Sequence, residues 1–432
     1  MKSILLAHFS VRLPSALLNN KDPKRKVITM KKSIRVSDHQ SEPVKIWNAA
    51  FINLFFVNLV FNMGQNMTNA LLPVYAKSLG ASESSIGFLT SSFAISAVIF
   101  HIVASPIMDT YNKRNVIAFA SFVEAIAFVG FATSKSMPAL IGFRLVMGCG
   151  MGFGNVCCLA AVSELIPKNK YGAGVGYFSV AVVISQAIGP SFGLWLRDVG
   201  GYHTTFFVTA GFMLLSVLLA SMLRLNYKRV KKLSLLPKNA IAREALIPAS
   251  MLLIVTAANG VGNSFLIIYA TSRGVANIGI YYTVTALVAL CARPLIGRLI
   301  DKHGATKIII PASCSFAFSC IIISFSSSLW HFLIAAFFNA LGSSTCQPAF
   351  QTLSMKAVSS DRRGAASSTS YVGMDIGGLV GPMIGGYTAQ NFGYNMMYRV
   401  QAIPYLICMT VVIMSRKWIK KTEAGFTPVK TE

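Results

Sequence analysis

Long apolar stretches recur along the chain, each about 20 residues in length and separated by short polar segments. A helix needs about 20 apolar residues to cross the hydrocarbon core of a bilayer. Membrane-spanning strands would instead give short segments of alternating polarity, and the sequence contains no such pattern. Twelve membrane-spanning helices are therefore predicted, with approximate limits 47–72, 86–109, 116–133, 137–165, 172–196, 205–223, 247–270, 278–300, 308–326, 329–356, 364–387 and 397–415.

Glycine, proline and acidic positions of the first half recur in the second half. A shift of 192 residues aligns Asp109 with Asp301, and it aligns Gly189-Pro190 with Gly381-Pro382, without a gap between them. This repeat predicts an all-α integral membrane fold in which two six-helix bundles are related by pseudo-symmetry. The predicted segments are a basic tail (1–46), the first bundle (47–223), a linker (224–245), the second bundle (246–416) and a second tail (417–432).

Composition and charge agree with a membrane location. Hydrophobic residues make up 54% of the chain and charged residues only 12%, whereas soluble proteins carry about 25% charge. Of the 39 Lys and Arg residues, 31 fall in the tails, the linker and the loops on the same side, and 4 fall in the opposite loops. Basic loops stay in the cytoplasm, so we expect both termini there and the protein in the plasma (inner) membrane. Despite the net charge of +25, no basic face of the kind that binds nucleic acid is formed.

The first 46 residues make a poor signal peptide, because His8 and Arg12 interrupt their apolar part. We expect a cytoplasmic tail instead. Met30 offers a second start site, so whether residues 1–29 belong to the mature protein stays open.

The sequence offers no sign of an enzyme. Its eight cysteines lie in apolar segments without a C-x-x-C pair, which argues against a metal or disulfide framework. No G-x-x-x-x-G-K-[ST] phosphate-binding loop and no catalytic constellation occur. We therefore expect neither catalysis nor a cofactor.

Amide side chains form a polar stripe along predicted span one, at helical spacing. Such a stripe is costly in lipid, so it is expected to face a water-filled cavity or to form hydrogen bonds between helices. Aligned amides recur in spans four, seven and ten, and the stripe is almost free of acids. This pattern favours a neutral or amphipathic substrate. The predicted cavity residues are Asn62, Gln65, Asn66, Asn69, Asn155, Asn259, Asn263, Asn339, Gln347 and Gln351.

The loop "GRLIDKHGATK" (297–307) resembles the signature of the major facilitator superfamily between its second and third helices. The first-half copy, "SPIMDTYNKRN" (105–115), keeps the acid and two basic residues, but Ser105 and Asn112 replace glycines. Asn112 is expected to substitute for glycine, because Asn enters left-handed turns more readily than most residues. Arg144 in "LIGFRLVMGCGMG" and the segment "AIGPSFG" (187–193) are similar to motifs of the drug/proton antiporter-like branch.

This resemblance implies a secondary active transporter that works by proton-coupled alternating access, with spans one, four, seven and ten around a central cavity. The expected activity is efflux of an organic or amphipathic small molecule by a monomer in the lipid bilayer, with protons as coupling ion. A proton symporter or uniporter for a sugar or organic acid is an alternative. A non-transporting nutrient sensor on the same fold is another, since fold alone does not establish function.

Four ionisable side chains inside the spans are candidates for proton coupling. Asp375 lies in span eleven, where desolvation disfavours an ionised carboxylate. For His101 in span two the alternative is a hydrogen-bonded packing role, and for Arg144 in span four it is a purely structural role. Glu124 in span three is the weaker acidic candidate, because the resemblance places that helix at the periphery.

The resemblance also implies a gate on the cytoplasmic side. Asp109 is expected to reach the start of span eleven, Asp301 the start of span five, and Glu164 is expected near Lys113 or Arg114. Gly189, Pro190, Gly381 and Pro382 are assigned to antiport or to close helix packing. The predicted gate residues are Asp109, Lys113, Arg114, Glu164, Gly297, Asp301, Lys302, Gly304 and Lys307.

Overall fold

The apolar stretches of the first half form helices in the predicted order. The computed structural model describes residues 47–166, 171–225, 241–358 and 363–424. The first half contains α1 (Ala49–Ser78), α2 (Glu83–Thr110), α3 (Lys113–Thr133), α4 (Met137–Leu165) and a long helix, Tyr171–Ser221, which a break at Gly201 divides into α5 and α6.

The second half repeats this arrangement and adds one helix. It contains α7 (Leu246–Ser272), α8 (Ile280–His303), α9 (Ala305–Phe325), α10 (Leu329–Lys356) and a long helix, Arg363–Met414, which a break at Gly393 divides into α11 and α12. A 3₁₀ turn, Arg243–Ala245, precedes α7, and a short helix, α13 (Arg416–Ala424), follows α12. The sequence predicted a tail from residue 417 onward, so α13 is an addition to that prediction.

The two breaks occupy equivalent positions of the repeat. Gly201 has φ 76° and ψ 174°, and Gly393, 192 residues later, has φ 79° and ψ 166°. Glycine adopts positive φ at little cost because it has no Cβ. Loops were predicted over 197–204 and 388–396, and in the structure a single glycine makes each turn.

The ends of α1 and α7 also correspond. Gly80 and Gly274 both adopt positive φ. At α1, Ala81 N donates to Ala76 O (3.1 Å) and Gly80 N donates to Lys77 O (3.0 Å). Both α7 equivalents, Val275 N to Ala270 O and Gly274 N to Thr271 O, measure 3.0 Å. Both helices therefore end in a Schellman motif, at an offset of 194 residues.

The starts of α3 and α9 differ between the halves. Gly304 precedes α9 with φ 85°, whereas Asn112 precedes α3 with φ −63° and ψ 120°. The expectation that Asn112 takes the left-handed conformation of a glycine is wrong. Its Oδ1 instead accepts a hydrogen bond from Arg114 N at 3.0 Å, so it stabilises the start of α3 as an N-cap.

Nine segments of the described residues are long and apolar enough to cross a membrane. Two of them, Gly176–Ser221 with 46 residues and Ala365–Met414 with 50 residues, are long enough to cross twice. The nine segments thus account for eleven of the twelve predicted spans. The remaining span is α1, whose amides lower its mean hydropathy. More than half of its residues are buried within the protein.

Buried apolar side chains show where the two halves meet. We call the side of the membrane where α1 begins and α12 ends the tail side, and the opposite side the far side. Near the far side one cluster contains residues of both halves, such as Phe128 and Phe265. Towards the tail side each half has its own cluster, around Phe153 in the first half and Phe350 in the second. Among the described residues, the large core that both halves share therefore lies near the far side.

Candidate functional site

Helices α2 and α11 hold the two halves together towards the far side. Ser84 N donates to Gln390 Oε1 on α11 at 3.3 Å, and Tyr394 Oη, just after the break at Gly393, donates to Glu83 Oε1 at 3.0 Å. Gly87 lies so close to α11 that a Cβ there would be 2.2 Å from Pro382 O. These contacts leave no space for a solute between α2 and α11 at this level.

Helices α5 and α8 form the second contact between the halves. Thr283 Oγ1 donates to Ala187 O at 2.7 Å, and Gly279 packs against Ser191. Since α5 and α8 are the repeat equivalents of α11 and α2, the two contacts are related by the pseudo-symmetry of the chain.

A cavity of about 740 Å³ lies between the halves on the tail side of these contacts. A volume of this size suits a drug-sized molecule. Its wall consists of one face each of α5, α8 and α10, together with Ala305 at the start of α9 and Glu423 on α13. The polar and charged residues of the wall include Ser179, Gln186, Arg293, Gln347, Gln351, Thr352, Lys356 and Glu423.

His101 on α2 and Asp375 on α11 form a direct contact between the halves. His101 Nδ1 lies 2.7 Å from Asp375 Oδ2, and the two side chains are 9% and 11% exposed. The ring of Tyr371 lies beside the imidazole, with 5.4 Å between ring centroids. The sequence predicted both residues as proton-coupling candidates without predicting that they pair.

The short distance between His101 Nδ1 and Asp375 Oδ2 requires a proton between these two atoms. An unprotonated imidazole nitrogen and a carboxylate oxygen are both acceptors and would repel each other at 2.7 Å. One proton must therefore lie between Nδ1 and Oδ2 when the contact is formed. Without that proton, two acceptor atoms would face each other.

The pair adjoins the cavity through α10. Gln347 and Gln351 both line the cavity, and their Nε2 atoms lie 4.0 and 3.4 Å from the sulfur of Met374. Met374 precedes Asp375 in α11. A ligand that displaces these amides would therefore act on the segment that carries the carboxylate.

The other two ionisable candidates lie in a buried network within the first half. Glu124 on α3 is fully buried, and its Oε1 accepts from Gln65 Nε2 at 2.8 Å. One turn away on α1, Asn69 Oδ1 accepts from Arg144 at 2.9 Å, and the guanidinium of Arg144 also lies over the ring of Phe93. Glu124, predicted to be peripheral, thus points inward and is linked through α1 to the residues around Arg144.

Comparison with known proteins agrees with this arrangement. A family model described as Major Facilitator Superfamily matches residues 54–276 and 249–430. The chain belongs to the major facilitator superfamily. The two matches overlap over residues 249–276 and together cover both halves of the repeat, and the resemblance seen in the signature loops is confirmed.

Relatives and solved structures are similar over most of the chain. Multidrug resistance protein MdtG of Enterobacter lignolyticus is 27% identical over 354 residues, which cover 78% of this chain and 84% of MdtG. Multi-drug resistance efflux pump PmrA of Streptococcus pneumoniae is 23% identical over 387 residues, covering 85% of this chain and 96% of PmrA. The crystal structure of a POT family transporter in complex with a thioalcohol-conjugated peptide superposes with a TM-score of 0.74 at 14% identity, covering 88% of this chain and 99% of that one. This last likeness shows the fold alone.

The predicted amides of this superfamily member are placed in three environments. Gln347 and Gln351 line the cavity, whereas Gln65 and Asn69 belong to the network of Glu124 and Arg144. Three form hydrogen bonds along or between helices: Asn62 Nδ2 donates to Asn58 O (2.8 Å), Asn66 Nδ2 donates to Asn62 O (2.9 Å), and Asn259 Oδ1 accepts from Tyr405 Oη (3.3 Å).

The remaining predicted amides lie outside the wall of the cavity. Asn155 and Asn339 are half-buried, and Asn263 is exposed. For all ten amides, a role in substrate binding stays a prediction.

The predicted gate is described in part. Gly297 lines the cavity, Lys302 and Lys307 are exposed, Lys113 opens α3, and Arg114 Nε donates to Asn115 Oδ1 at 3.2 Å. The side chains of Asp109, Glu164 and Asp301 lie outside the described set, and so do the contacts predicted for them.

The Gly-Pro segments of α5 and α11 lie where helices approach closely. A Cβ on Gly189 would lie 2.9 Å from Cβ of Asn66, and one on Gly381 would lie 2.0 Å from Ala257 O. Each glycine thus lets its helix pack against α1 or α7, the first helix of its own half. Pro382 packs on Gly260, and Pro190 is buried inside α5.

Two parts of the site were not predicted from the sequence. Gln186 on α5 lines the cavity, but it stands alone in an apolar stretch and belongs to no stripe. Glu423 on α13 also lines the cavity, and its Oε1 accepts from Ala305 N at 2.8 Å. The alternation of basic and apolar residues in "RKWIKKTEA" (416–424) was the signal that could have revealed this helix.

Proposed function

We propose that this chain is a secondary active transporter that exports organic or amphipathic small molecules by alternating access coupled to protons. The names of MdtG and PmrA describe multidrug resistance and efflux proteins, and this chain is similar to both over most of its length. The cavity between the halves supports binding of a small organic molecule.

The observation that carries proton coupling is the contact between His101 and Asp375. It joins α2 of the first half to α11 of the second, and it forms only when one proton lies between the two groups. A far-side opening requires α2 and α11 to separate. Loss of this shared proton would weaken the contact and therefore change the free-energy difference between the two access states.

The orientation follows from the distribution of basic residues. We infer that the tail side is cytoplasmic, that both termini lie there, and that the protein works as a monomer in the plasma membrane. The cavity would then receive substrate from the cytoplasm, which is the direction needed for efflux.

Flux measurements in proteoliposomes test the proposal. Wild-type protein is reconstituted with an imposed pH gradient, and transport of a panel of fluorescent amphipathic compounds is followed together with the pH of the lumen. We expect compound and protons to move in opposite directions. Asp375→Asn should lose the dependence on the gradient while it still binds compound, because the amide cannot exchange a proton.

Asp198→Asn is the matched control. Asp198 is an exposed acid whose carboxylate binds the neighbouring Arg197, so this variant should transport like wild type. Gradient-driven flux that persists in Asp375→Asn would contradict the assignment of the proton site. Compound and protons moving in the same direction would indicate a symporter, and absence of any flux would favour a sensor.

A further inference from the structure

The pseudo-symmetry of the chain places Arg293 at the position equivalent to His101. The offset of 192 residues that relates the halves also relates Asp375 on α11 to Val183 on α5. The pair His101–Asp375 between α2 and α11 thus corresponds to Arg293 and Val183 between α8 and α5. One contact between the halves contains a base and an acid, whereas its counterpart contains a guanidinium and an apolar side chain.

Both members of this second pair face the cavity. On α8, Leu290, Arg293, Gly297 and Ile300 recur every three or four residues and line the wall, so Arg293 lies on the helix face that is turned to the cavity. Val183 lines the opposing wall on α5. Arg293 lies about halfway along α8 (Ile280–His303), well inside the span.

No group among the described residues neutralises the charge of Arg293. Within the described ranges, Arg293 forms neither a hydrogen bond nor an ion pair. The carboxylate of Glu423 lines the cavity too, but its Oε1 accepts a hydrogen bond from Ala305 N at the start of α9. Lys356, also in the wall, adds a second positive charge.

An unpaired guanidinium within a span is costly, and such groups usually mark the binding site of a substrate or ion. Guanidinium binds carboxylate and related oxyanions in a bidentate geometry that few other groups allow. Gln347 and Gln351 add amide donors whose Nε2 atoms face the weak acceptor sulfur of Met374. Apolar side chains such as Val183 and Leu290 complete the wall.

We propose that Arg293 binds the anionic group of an amphipathic organic anion, which makes such anions the preferred substrate class of this transporter. The inference rests on the proposed function, and it adds the sign of the substrate's charge. In the repeat, Val183 stands at the position of Asp375, so the protein provides no acid opposite Arg293 at that position. The carboxylate or sulfonate of the substrate would take the role of that acid.

Three probes that share one apolar body test this proposal: 1-naphthaleneacetate, its neutral isostere 1-naphthaleneacetamide, and the cation 1-naphthylmethylammonium. Binding to the purified full-length protein in detergent is measured by calorimetry. We expect wild type to bind the anion about tenfold or more tightly than the amide, as a charge-assisted hydrogen bond would give, and to bind the cation weakest. Arg293→Gln should bind anion and amide equally, and Arg293→Lys should keep part of the preference.

Two further variants separate the site from general effects of charge or folding. Arg298→Gln removes the same charge from the same helix at a residue that does not line the cavity, and it should keep the preference for the anion. Val183→Glu places an acid opposite Arg293, as Asp375 lies opposite His101, and it should abolish the preference without removing the guanidinium. Each variant is first checked for a wild-type melting temperature and elution profile.

Several results would overturn the proposal. One is that the wild type shows no saturable binding of the anion, and another is that it binds the amide or the cation as tightly as the anion or more tightly. A third is that Arg293→Gln or Val183→Glu keeps the anion preference unchanged. Proton-driven flux of the amide or the cation without anion preference would overturn this site and leave the proposed function standing. An Arg293-dependent anion preference without any proton-driven flux would support this site and contradict the proposed function.

Discussion

The close contact between α2 and α11 makes Gly87→Ala a test of alternating access. A Cβ at residue 87 would lie 2.2 Å from Pro382 O and 3.0 Å from Pro382 C. Ordinary van der Waals contact begins at about 3.4 Å, and both of these atoms belong to the backbone, so no side-chain rotation can relieve the overlap. The two helices must therefore move apart by about 1 Å at this point.

This movement destabilises only the state in which α2 and α11 are in contact at the far side. Overpacking by one methyl group costs about 1–3 kcal/mol, and a state in which α2 and α11 separate at the far side does not incur it. The equilibrium between the two access states should therefore shift by about 5- to 150-fold towards the far-side-open state. If the state described here is favoured by less than this amount, the variant will reside mainly in the open state.

Thiol labelling measures this shift. Ser91 lies one turn beyond Gly87 on the same helix face and is 0% exposed. With the native cysteines replaced, Ser91→Cys reports opening through its rate of reaction with a membrane-impermeant maleimide added from the far side. Gly87→Ala should raise that rate by the same 5- to 150-fold, because the labelling rate follows the fraction of open protein.

Gly142→Ala is the matched control. Gly142 is also helical, but a Cβ there would have no neighbour within 4 Å. This variant should leave the labelling rate unchanged and stabilise α4 by about 0.5–1 kcal/mol. Equal labelling rates in Gly87→Ala and wild type would refute the reasoning, and so would an increase of equal size in the control.

Two further predictions concern the buried network and α13. Gln65→Leu should lower the free energy of unfolding by about 1–3 kcal/mol, because the carboxylate of Glu124 loses its hydrogen-bond donor. Denaturation curves in detergent should show that Gln65→Leu and Glu124→Leu are not additive in the double variant, and full additivity would exclude coupling. Glu423→Ala should weaken the attachment of α13 to α9 by about 1 kcal/mol and speed tryptic cleavage at Lys420 and Lys421 about fivefold. Thr422→Ala, whose hydroxyl bonds within α13 to Trp418 O, should be cleaved like wild type.

Much of the fold could be predicted from the sequence because lipid imposes a simple rule. Backbone groups in a bilayer must be satisfied within the segment, so an apolar stretch of sufficient length is a helix. The limits of α4 and α10 agree with the predicted spans to the residue. The two helix breaks, at Gly201 and Gly393, lie at equivalent positions of the repeat. The short helix α13 was not predicted. It is stabilised by tertiary contacts, such as the hydrogen bond from Ala305 N to Glu423 Oε1, which the pattern of residues along the chain does not reveal.

The candidate site was less predictable, because a polar residue inside a span has several possible partners. Helical spacing showed that the amides of α1 share a face, and so do those of α10. It did not distinguish Gln347 on α10, which lines the cavity, from Gln65 on α1, which binds Glu124. The alternatives named for such residues, cavity and interhelical hydrogen bond, both occur. Which of them applies depends on the neighbouring helix, and that is a property of packing rather than of periodicity.

The most informative feature of the site is a departure from the symmetry that the sequence reveals. Repeat alignment pairs His101 with Arg293, and it pairs Asp375 with Val183, but it contains no sign that His101 and Asp375 lie 2.7 Å apart. That contact follows once the halves are related by a two-fold axis along the membrane normal, which brings α2 against α11 and α8 against α5. Because the repeat relates these two contacts, the difference between them supports both proposals: the acid–base pair is the proposed proton site, and Arg293, which has no hydrogen-bond or ion-pair partner among the described residues, is the proposed anion site.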